Sequence, residues 1–440
     1  MKYYVEPKFE KYNDKLARLY PERFFSSDTI LTLTFQVTED CCMACTYCYQ
    51  NNKSKNKMDF SVAQKVIDNL LNDDKYYHTE KINGLILEFI GGEPFMEVQL
   101  IDEITSYFIK KCIDLNHRFL FNFRISMASN GLLYFEEEVQ NYIKKYKDFL
   151  SLAISIDGNK ELHDTCRIDL NGNGTYNRVV AAARHLRENY IQDLETKMTL
   201  SPDNIKYIFS AIQNLIAIGY TSISLNCVYE EGWELSHAKI LYDELRKTAD
   251  WLIETDSFRK YRISLFDEEL FTPLPEEETK NWCGGVCNGM LAFDYNGDAF
   301  PCVRYMGSSL NGKQVPLSIG NFNGLFNEEI YKNRFNLLTS ITRQSQSTTE
   351  CLNCPIAKGC AWCSGYNYEI FGTPNKRATF ICIMHKARAL ANAYYYNKGH
   401  YLMGEEKRFK INLPKEEALK IISNEDWNEL KKYEGAKIDE

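Results

Sequence analysis

Three of the four cysteines in the run 41–48 are the feature of this chain best suited to chemistry. Cys41, Cys45 and Cys48 follow the spacing Cys-x3-Cys-x2-Cys. Thiolates this close together can hold three irons of a cubic 4Fe–4S cluster and leave the fourth iron without a protein ligand. An iron that lacks a protein ligand is free to bind a second molecule. The alternative is a zinc site, because closely spaced cysteines also bind zinc.

A second set of cysteines lies between residues 283 and 382. A hairpin turn is expected over 294–298, where it would fold two of these thiolates towards each other. Eight thiolates match the ligands of two further cubanes, and a pair of zinc sites is again the alternative. The eight residues are Cys283, Cys287, Cys302, Cys351, Cys354, Cys360, Cys363 and Cys382.

Composition sets outer limits on function. The chain has 440 residues, a formal net charge of −8 and a pI near 5.6. This acidic balance disfavours nonspecific nucleic-acid binding, which needs a basic surface. The first residues lack the apolar core of a signal peptide, and no stretch reaches membrane-spanning length. We therefore expect a cytoplasmic protein under reducing or anaerobic conditions, with cysteines used for metal ligation rather than disulfides.

Strand patterns alternate with helix patterns from about residue 31 to about 256. This alternation predicts a parallel sheet with crossover helices. Six such units are too few to close an eight-stranded barrel, so we predict an α/β fold with a partial (β/α)6 TIM barrel. Strands are predicted at 31–37, 85–90, 121–128, 152–156, 196–200 and 222–228, and helices at 61–71, 97–115, 135–146, 176–189, 204–218 and 234–253.

Polar and glycine-rich motifs follow these strands, at the sheet edge where ligands of α/β proteins bind. Glycines at such a place let the backbone approach a ligand closely, although a Gly-Gly turn is also a common strand ending. An arginine beyond the fourth strand can pair with a carboxylate at two points. The residues are Gly91, Gly92, Glu93 and Pro94, then Ser129 and Asn130, then Ser155, Asp157 and Arg167, and finally Leu200.

Taken together, the cysteine spacing and these strand-end motifs resemble the radical S-adenosylmethionine (SAM) enzymes. The resemblance implies that the open iron chelates the amino and carboxylate groups of SAM, and that one electron cleaves SAM to a 5′-deoxyadenosyl radical. It places Tyr47 against the adenine, GGEP near the SAM ammonium group, Asp157 on the ribose and Arg167 on the SAM carboxylate. Four weak motifs in the expected order make the zinc alternative less attractive.

The later cysteines resemble the SPASM extension of peptide-modifying radical SAM enzymes, which carries two auxiliary 4Fe–4S clusters. The resemblance assigns Cys283, Cys287, Cys302 and Cys363 to the first auxiliary cluster. It assigns Cys351, Cys354, Cys360 and Cys382 to the second. One departure is the gap of two residues between Cys360 and Cys363, where the family has three. This departure leaves open whether the first auxiliary cluster keeps an open iron.

The resemblance implies an oxidoreductase that modifies a ribosomally made precursor peptide, and thioether crosslinking of its cysteines is the favoured reaction. Carbon–carbon or carbon–oxygen crosslinking and epimerisation are alternatives, as is formylglycine formation by an anaerobic sulfatase maturase. Those maturases place an aspartate base directly after the cysteine that is Cys302 here. This chain has Val303, which cannot accept a proton. An iron–sulfur electron carrier is disfavoured, because a carrier would need no SAM-binding motifs.

The expected organisation has four parts: an N-terminal extension (1–30), the barrel (31–256), the SPASM region (257–400) and a helical tail (401–440). Expected partners are a cysteine-containing precursor peptide and an electron donor such as flavodoxin or ferredoxin, without nucleic acid or membrane. Leader recognition, where used, would involve a short local element or a separate protein. Cys42 and Cys112 are expected to be packed bystanders, whereas Cys166 and Cys227 approach the cavity.

Overall fold

The computed structural model describes residues 30–50, 52–73, 82–191, 194–230, 232–267, 271–273, 283–286, 289–325 and 327–435. Residues 1–29 of the predicted N-terminal extension and Cys287 lie outside these residues, whereas Ile30 begins the first strand. Among the helices described, none is long and apolar enough to span a membrane.

Six parallel strands and their crossover helices build the first part of the fold. Apolar side chains alternate along the strands and recur at helical spacing on the helices, so both bury one face in a common core. The elements are β1 Ile30–Gln36, α1 Phe60–Asn72, β2 Gly84–Ile90, α2 Val98–Asp114, β3 Phe123–Ser129, α3 Glu137–Tyr146, β4 Leu150–Ile154, α4 Lys160–Cys166, α5 Tyr176–Asn189, β5 Leu194–Leu200, α6 Ile208–Ile218, β6 Tyr220–Cys227 and α7 Leu235–Glu254.

The strands lie in the order β1-β2-β3-β4 in one ladder and β5-β6 in another. The two ladders meet where the buried Thr196 donates its hydroxyl to the carbonyl of Ile154 on β4, at 3.1 Å. A side chain therefore spans the gap between β4 and β5. The result is a curved, open barrel, which confirms the predicted partial (β/α)6 fold.

The remaining chain adds short strands to this barrel instead of standing apart from it. These strands are β7 Arg262–Ile263, β8 Met290–Phe293, β9 Asp298–Phe300, β10 Gly320–Asn321 and β11 Gly324–Leu325. β8 pairs in parallel with β1, and β9 to β11 extend the same sheet, while β7 extends the β5-β6 ladder. The sheet thus includes strands from both sides of the predicted domain boundary near residue 257, which stays a prediction.

A long helix anchors the C-terminal region on the barrel. This helix is buried on most sides and packs against α7, with Gly399 so close to Phe258 that a Cβ would lie 2.2 Å from its ring. Two further helices lie in the tail. The helices are α8 Glu329–Thr339, α9 Arg343–Gln346, α10 Thr349–Leu352, α11 Ser364–Phe371, α12 Cys382–Leu402, α13 Lys415–Ala418 and α14 Asn424–Glu434.

Candidate functional site

The loop with the first three cysteines follows β1 and ends just before α1. Its two ends are joined, because Met58 donates its backbone N–H to the carbonyl of Val37 at 2.9 Å. Inside the loop, the Glu39 carboxylate accepts hydrogen bonds from Ser54 at 2.5 Å and from Asn56 at 3.2 Å. The sequence thus forms a closed loop at the carboxyl edge of the parallel sheet.

The end of α4 and the residues directly after it strap this loop from the other side. Ala44 and Thr46 donate backbone hydrogen bonds to the carbonyls of Ile168 (2.9 Å) and Cys166 (3.0 Å). Arg167 lies between these two acceptors, so the strap also places its guanidinium beside the cysteines. Cys166, predicted to approach the cavity, is buried in this strap.

The thiols of the loop lie in unlike surroundings. A hydrogen bond with Cys42 lowers the pKa of Cys41 to about 6 and raises that of Cys42. Burial raises the pKa of Cys45 to about 11, against the opposing charge of Arg167. Cys45 also lies within electrostatic range of Cys41 and Cys48. The structure therefore brings the three predicted ligands together.

The two glycines after β2 are required by the cysteine loop itself. A Cβ on Gly92 would lie 2.3 Å from the carbonyl oxygen of Asp40, and one on Gly91 would lie 2.8 Å from the side chain of Thr38. The loops are also hydrogen bonded, from Glu93 N–H to the Asp40 carbonyl at 2.9 Å. The sequence predicts that a ligand approaches these glycines closely. In the structure the cysteine loop itself makes such a close approach, so it accounts at least in part for the glycines.

Glu93 joins the end of β2 to the end of β3. Its carboxylate accepts from the Ser129 hydroxyl at 2.8 Å, from the Asn130 N–H at 2.8 Å and from the Phe95 N–H at 3.0 Å. Burial raises the pKa of Glu93 to about 7 in spite of these donors. A contact between GGEP and SAM stays a prediction, and the structure adds a bridging role for this carboxylate. Pro94 is buried at the start of the 3-10 turn Pro94–Glu97.

Asn130 reaches from β3 to the cysteine loop. Its side-chain amide donates to Cys42 Sγ at 3.3 Å and lies 3.8 Å from Cys41 Sγ. Cys42, expected to be a packed bystander, therefore contacts a predicted SAM-binding residue. Cys112 is fully buried in the core of α2, as expected.

Asp157, after β4, is the centre of a buried polar group. Its carboxylate pairs with Arg167, with 3.0 Å between Nε and Oδ2 and 3.3 Å between Nη2 and Oδ1. The Tyr47 hydroxyl donates to the same carboxylate, and the Arg167 guanidinium lies 5.5 Å from the Tyr47 ring centroid. Three residues predicted to touch adenine, ribose and carboxylate thus contact one another. Sequence motifs did not predict these mutual contacts.

Neighbouring groups complete the surroundings of Asp157. His163 accepts from the Asp157 N–H at 3.2 Å, and burial lowers the pKa of His163 to about 4, so this histidine is a neutral structural partner. The Thr199 N–H donates to Asp157 at 3.3 Å, next to the buried Leu200 at the end of β5. Ser155 donates its N–H to the Ser129 carbonyl at 2.8 Å. The predicted strand-end residues therefore share one edge of the barrel.

The later cysteines form two separate groups. Cys302 lies within electrostatic range of Cys283 and Cys363, and a Cβ on Gly285 would lie 2.9 Å from Cys302 Sγ. Burial is the main cause of the raised pKa of Cys302. Cys287 lies outside the described residues. Cys283, Cys302 and Cys363 are therefore the described members of the first predicted auxiliary set.

The second group contains all four cysteines predicted for the second auxiliary set. Burial raises the pKa of Cys382 to about 12, and Cys360, Cys351 and Cys354 raise it further. Cys360 is buried, and its pKa is raised by burial against the charges of Arg377, Arg343 and Arg388. Cys351 and Cys354 lie closer to the surface. The assignment of these cysteines to two auxiliary clusters stays a prediction.

The donor chemistry fits iron–sulfur clusters. Every cysteine that the structure describes is a free thiol. Cysteine thiolates are the ligands that hold 4Fe–4S clusters. The residues that would hold the SAM-binding cluster are Cys41, Cys45 and Cys48.

A cavity of about 520 Å³ opens between the cysteine loop and the C-terminal region. Tyr47, Cys48 and Tyr49 line one side of this cavity, and Arg304 and Tyr366 line the other. Two carboxylates, Glu230 and Glu369, and the ammonium group of Lys313 also face it. Sequence motifs named none of these charged residues, because they come from separate segments of the chain.

Arg304 is the central side chain of this cavity. Its guanidinium lies 5.3 Å from the Tyr49 ring centroid and 5.8 Å from that of Tyr366. It pairs at 3.3 Å with Glu230 and at 3.5 Å with Glu369. Arg304 lies two residues after Cys302, and Tyr49 directly follows Cys48. The cavity therefore lies between two cysteine groups.

Comparisons with known proteins agree with this geometry. Residues 35–215 match the Radical SAM superfamily. An uncharacterised protein, MJ0907 of Methanocaldococcus jannaschii, is 31% identical over 199 residues, which cover 45% of this chain and 63% of that protein. The chain thus spans less than two thirds of this relative.

Two further relatives have named activities. A cysteine-type anaerobic sulfatase-maturating enzyme of Clostridium novyi is 25% identical over 306 residues, covering 67% of this chain and 79% of the enzyme. The subtilosin biosynthesis protein AlbA of Bacillus subtilis is 24% identical over 284 residues, covering 62% and 55%.

Two solved structures share the fold. The enzyme anSMEcpe, with bound AdoMet and the Cp18Cys peptide, matches with a TM-score of 0.59 at 16% identity, covering 85% of this chain and 99% of that one. SuiB of Streptococcus suis, bound to the precursor peptide SuiA, matches with a TM-score of 0.53 at 14% identity, covering 85% and 79%.

Proposed function

Because residues 35–215 match the Radical SAM superfamily, we propose that this chain is a radical SAM enzyme that modifies a ribosomally made precursor peptide by forming thioether crosslinks from peptide cysteines. When bound, a 4Fe–4S cluster with SAM supplies one-electron cleavage and hence hydrogen abstraction from carbon. Cys41, Cys45 and Cys48 would hold that cluster, and residues 35–215 cover all three together with the predicted SAM-binding edge.

The observation that carries the peptide substrate is the cavity lined by Tyr49 and Arg304. Its volume of about 520 Å³ suits one or two side chains and their backbone. It adjoins Cys48 on one side and the group of Cys302 and Cys363 on the other, since the Arg304 charge acts on Cys363. A peptide in this cavity would lie between the SAM site and the first auxiliary set.

The named relatives support a peptide or protein substrate. SuiB was solved with a precursor peptide and anSMEcpe with a peptide, and AlbA is named for the biosynthesis of a bacteriocin. The proposed partners are therefore a cysteine-containing precursor peptide and a reductant of the flavodoxin or ferredoxin type. Two auxiliary clusters, on the cysteines assigned above, complete the proposal.

The residues of this chain have separate tasks in this proposal. Asp157 holds Arg167 and Tyr47 at the SAM site, and the neutral His163 supports Asp157 through its backbone. Arg304, held by ion pairs with Glu230 and Glu369, presents guanidinium N–H donors to the peptide. The buried thiols of the two auxiliary groups would become thiolates on loading iron.

Formylglycine formation is the second candidate, and the sulfatase-maturating relative favours it. In this chain Val303 follows Cys302 and opens a short turn, Val303–Tyr305. A valine cannot take a proton from a substrate cysteine. The first candidate therefore accounts better for this position.

The test is a reaction with dithionite, SAM and a cysteine-containing precursor peptide. The expected product is lighter by two hydrogens per crosslink, and alkylation leaves the joined cysteines unlabelled. A loss of two hydrogens with every cysteine still alkylated would replace the thioether with a carbon–carbon or carbon–oxygen crosslink. A loss of about eighteen mass units, through conversion of a cysteine to an aldehyde, would favour formylglycine and remove the argument from Val303.

A further inference from the structure

Arginine side chains surround the inner side of the second auxiliary group. Arg343 and Arg377 are only 2% and 6% exposed, and Arg388 reaches the same place from α12. All three guanidinium charges act on Cys360. Arginine keeps its charge at any pH that proteins experience, so this positive field is permanent.

Arg377 contacts Cys360 directly. Its Nη2 donates to Cys360 Sγ at 2.9 Å and lies 3.3 Å from the carbonyl oxygen of the same residue. The guanidinium lies 4.3 Å from the centroid of the Trp362 ring, which is buried. The cation–π contact with Trp362 and the contact with the Cys360 carbonyl thus hold the Arg377 guanidinium against the Cys360 sulfur.

Backbone carbonyl groups hold the side chains of Arg343 and Arg388 near Cys360. Arg343 donates to the Ala357 carbonyl at 2.5 Å, and its guanidinium lies 5.3 Å from the Trp362 ring. Arg388 donates to the carbonyls of Leu265, at 2.9 Å, and Ser264. These carbonyl contacts orient the two guanidinium groups, and Arg388 also lies within electrostatic range of the Asp267 carboxylate.

A cluster with four thiolate ligands gains negative charge on reduction. Hydrogen bonds to its sulfurs and nearby positive charge are two of the factors that set its potential. Both act more strongly in a buried site than in water, because the effective dielectric constant is lower. Here both effects favour the reduced state.

We propose that Arg377, with Arg343 and Arg388, raises the reduction potential of the cluster held by Cys351, Cys354, Cys360 and Cys382. The inference rests on the proposed function, since it requires that second auxiliary cluster. Arg377 is a positioning and tuning residue and not a catalytic one. Its effect is local to this cluster, because the contact with Cys360 Sγ is direct.

The test measures midpoint potentials by redox titration followed with electron paramagnetic resonance, on the reconstituted full chain. The starting protein carries Cys41→Ala, Cys45→Ala and Cys48→Ala, which leaves only auxiliary signals. The signal that Cys382→Ser removes is assigned to the second cluster. Arg377→Gln deletes the charge, and Arg377→Lys keeps the charge without the planar fork.

We expect Arg377→Gln to lower the reduced-to-oxidised ratio of this cluster about tenfold at a fixed solution potential, which is about 59 mV for a one-electron couple. Arg377→Lys should show a smaller shift. The matched control is Lys376→Gln, which removes the same charge from an exposed neighbouring residue and should change nothing. The potential of the first auxiliary cluster should also stay constant.

Equal potentials in Arg377→Gln and its parent, at equal iron content, would overturn the inference and leave the cluster in place. A parent that holds iron in one auxiliary cluster only would instead overturn the cluster assignment in the proposed function. If Arg377→Gln loses iron, Arg377→Lys and Arg343→Gln carry the test, because the first alters the hydrogen bond to Cys360 Sγ and the second removes a neighbouring charge, each with less disturbance of Cys360. Unchanged potentials in both would then reject the proposal.

Discussion

The guanidinium of Arg167 lies 3.0 Å from the carboxylate of Asp157, which is completely buried. Arg167 is itself only 9% exposed. Removing one partner of a buried pair leaves the other charge uncompensated, which costs about 3–5 kcal/mol. This pair therefore connects the predicted SAM site with the stability of the barrel.

Arg167→Ala should impair both properties. Loss of a charge-assisted contact should weaken SAM binding by about 2 kcal/mol, and the unpaired Asp157 should lower the free energy of unfolding. Calorimetric titration with SAM and urea unfolding measure the two effects. Arg184→Ala, on the exposed side of α5, is the control and should change neither. Unaltered SAM affinity in Arg167→Ala would remove Arg167 from the SAM site.

Iron content distinguishes the three cysteine groups. Three cubanes correspond to about twelve irons per chain, and changing Cys41, Cys45 and Cys48 together to alanine should remove about four of them. SAM cleavage should stop, while both auxiliary clusters stay. Cys112→Ala, in the apolar core, should keep all iron. A purified protein that contains zinc and no iron would contradict the cluster assignment.

Glu93 should make stability depend on pH. Its pKa rises to about 7 in the folded protein through burial, whereas an ordinary glutamate titrates near 4.3. The folded state therefore holds more protons between these two values, so the free energy of unfolding falls as pH rises through this window. From pH 6 to pH 8 the fall is about 1 kcal/mol.

Glu93→Gln checks this pH dependence. Glutamine does not titrate, so the variant should lose stability at all pH values through altered hydrogen bonds but should lack the decrease from pH 6 to pH 8. Urea unfolding at both pH values measures the difference. Glu97→Gln, on the neighbouring turn, is the control. Parallel pH curves for wild type and Glu93→Gln would show that Glu93 does not titrate in this range.

Arg304 should act on the peptide and not on SAM. Arg304→Gln removes the cation between Tyr49 and Tyr366, so we expect a raised KM for the precursor peptide, by about tenfold or 1.4 kcal/mol for one charged contact. SAM cleavage without peptide should continue. Arg334→Gln, whose side chain donates to the Ser318 carbonyl outside the cavity, is the control. Equal loss of SAM cleavage and peptide turnover would place Arg304 at the SAM site instead.

Local patterns in the sequence determined the elements of the barrel and the order of its strand-end motifs. The apolar alternation at 85–90 and the helical repeat at 176–189 predicted β2 and α5 within one or two residues, because burial of one face governs both patterns. Cysteine spacing likewise grouped Cys41 with Cys45 and Cys48, since residues this close in a loop remain neighbours in any fold.

Only the tertiary structure decided which distant residues meet. The pairing of β8 with β1, the clamp on Arg304 and the bond from Arg377 to Cys360 join segments far apart in the chain or on separate elements. The sequence around these residues shows no recognisable pattern, because a single polar contact involves only one residue from each segment. The two glycines after β2 show the same limit, because their motif can be read from the sequence but the reason for it cannot. Only the folded sheet brings the cysteine loop so close that a Cβ on Gly92 would lie 2.3 Å from the carbonyl oxygen of Asp40.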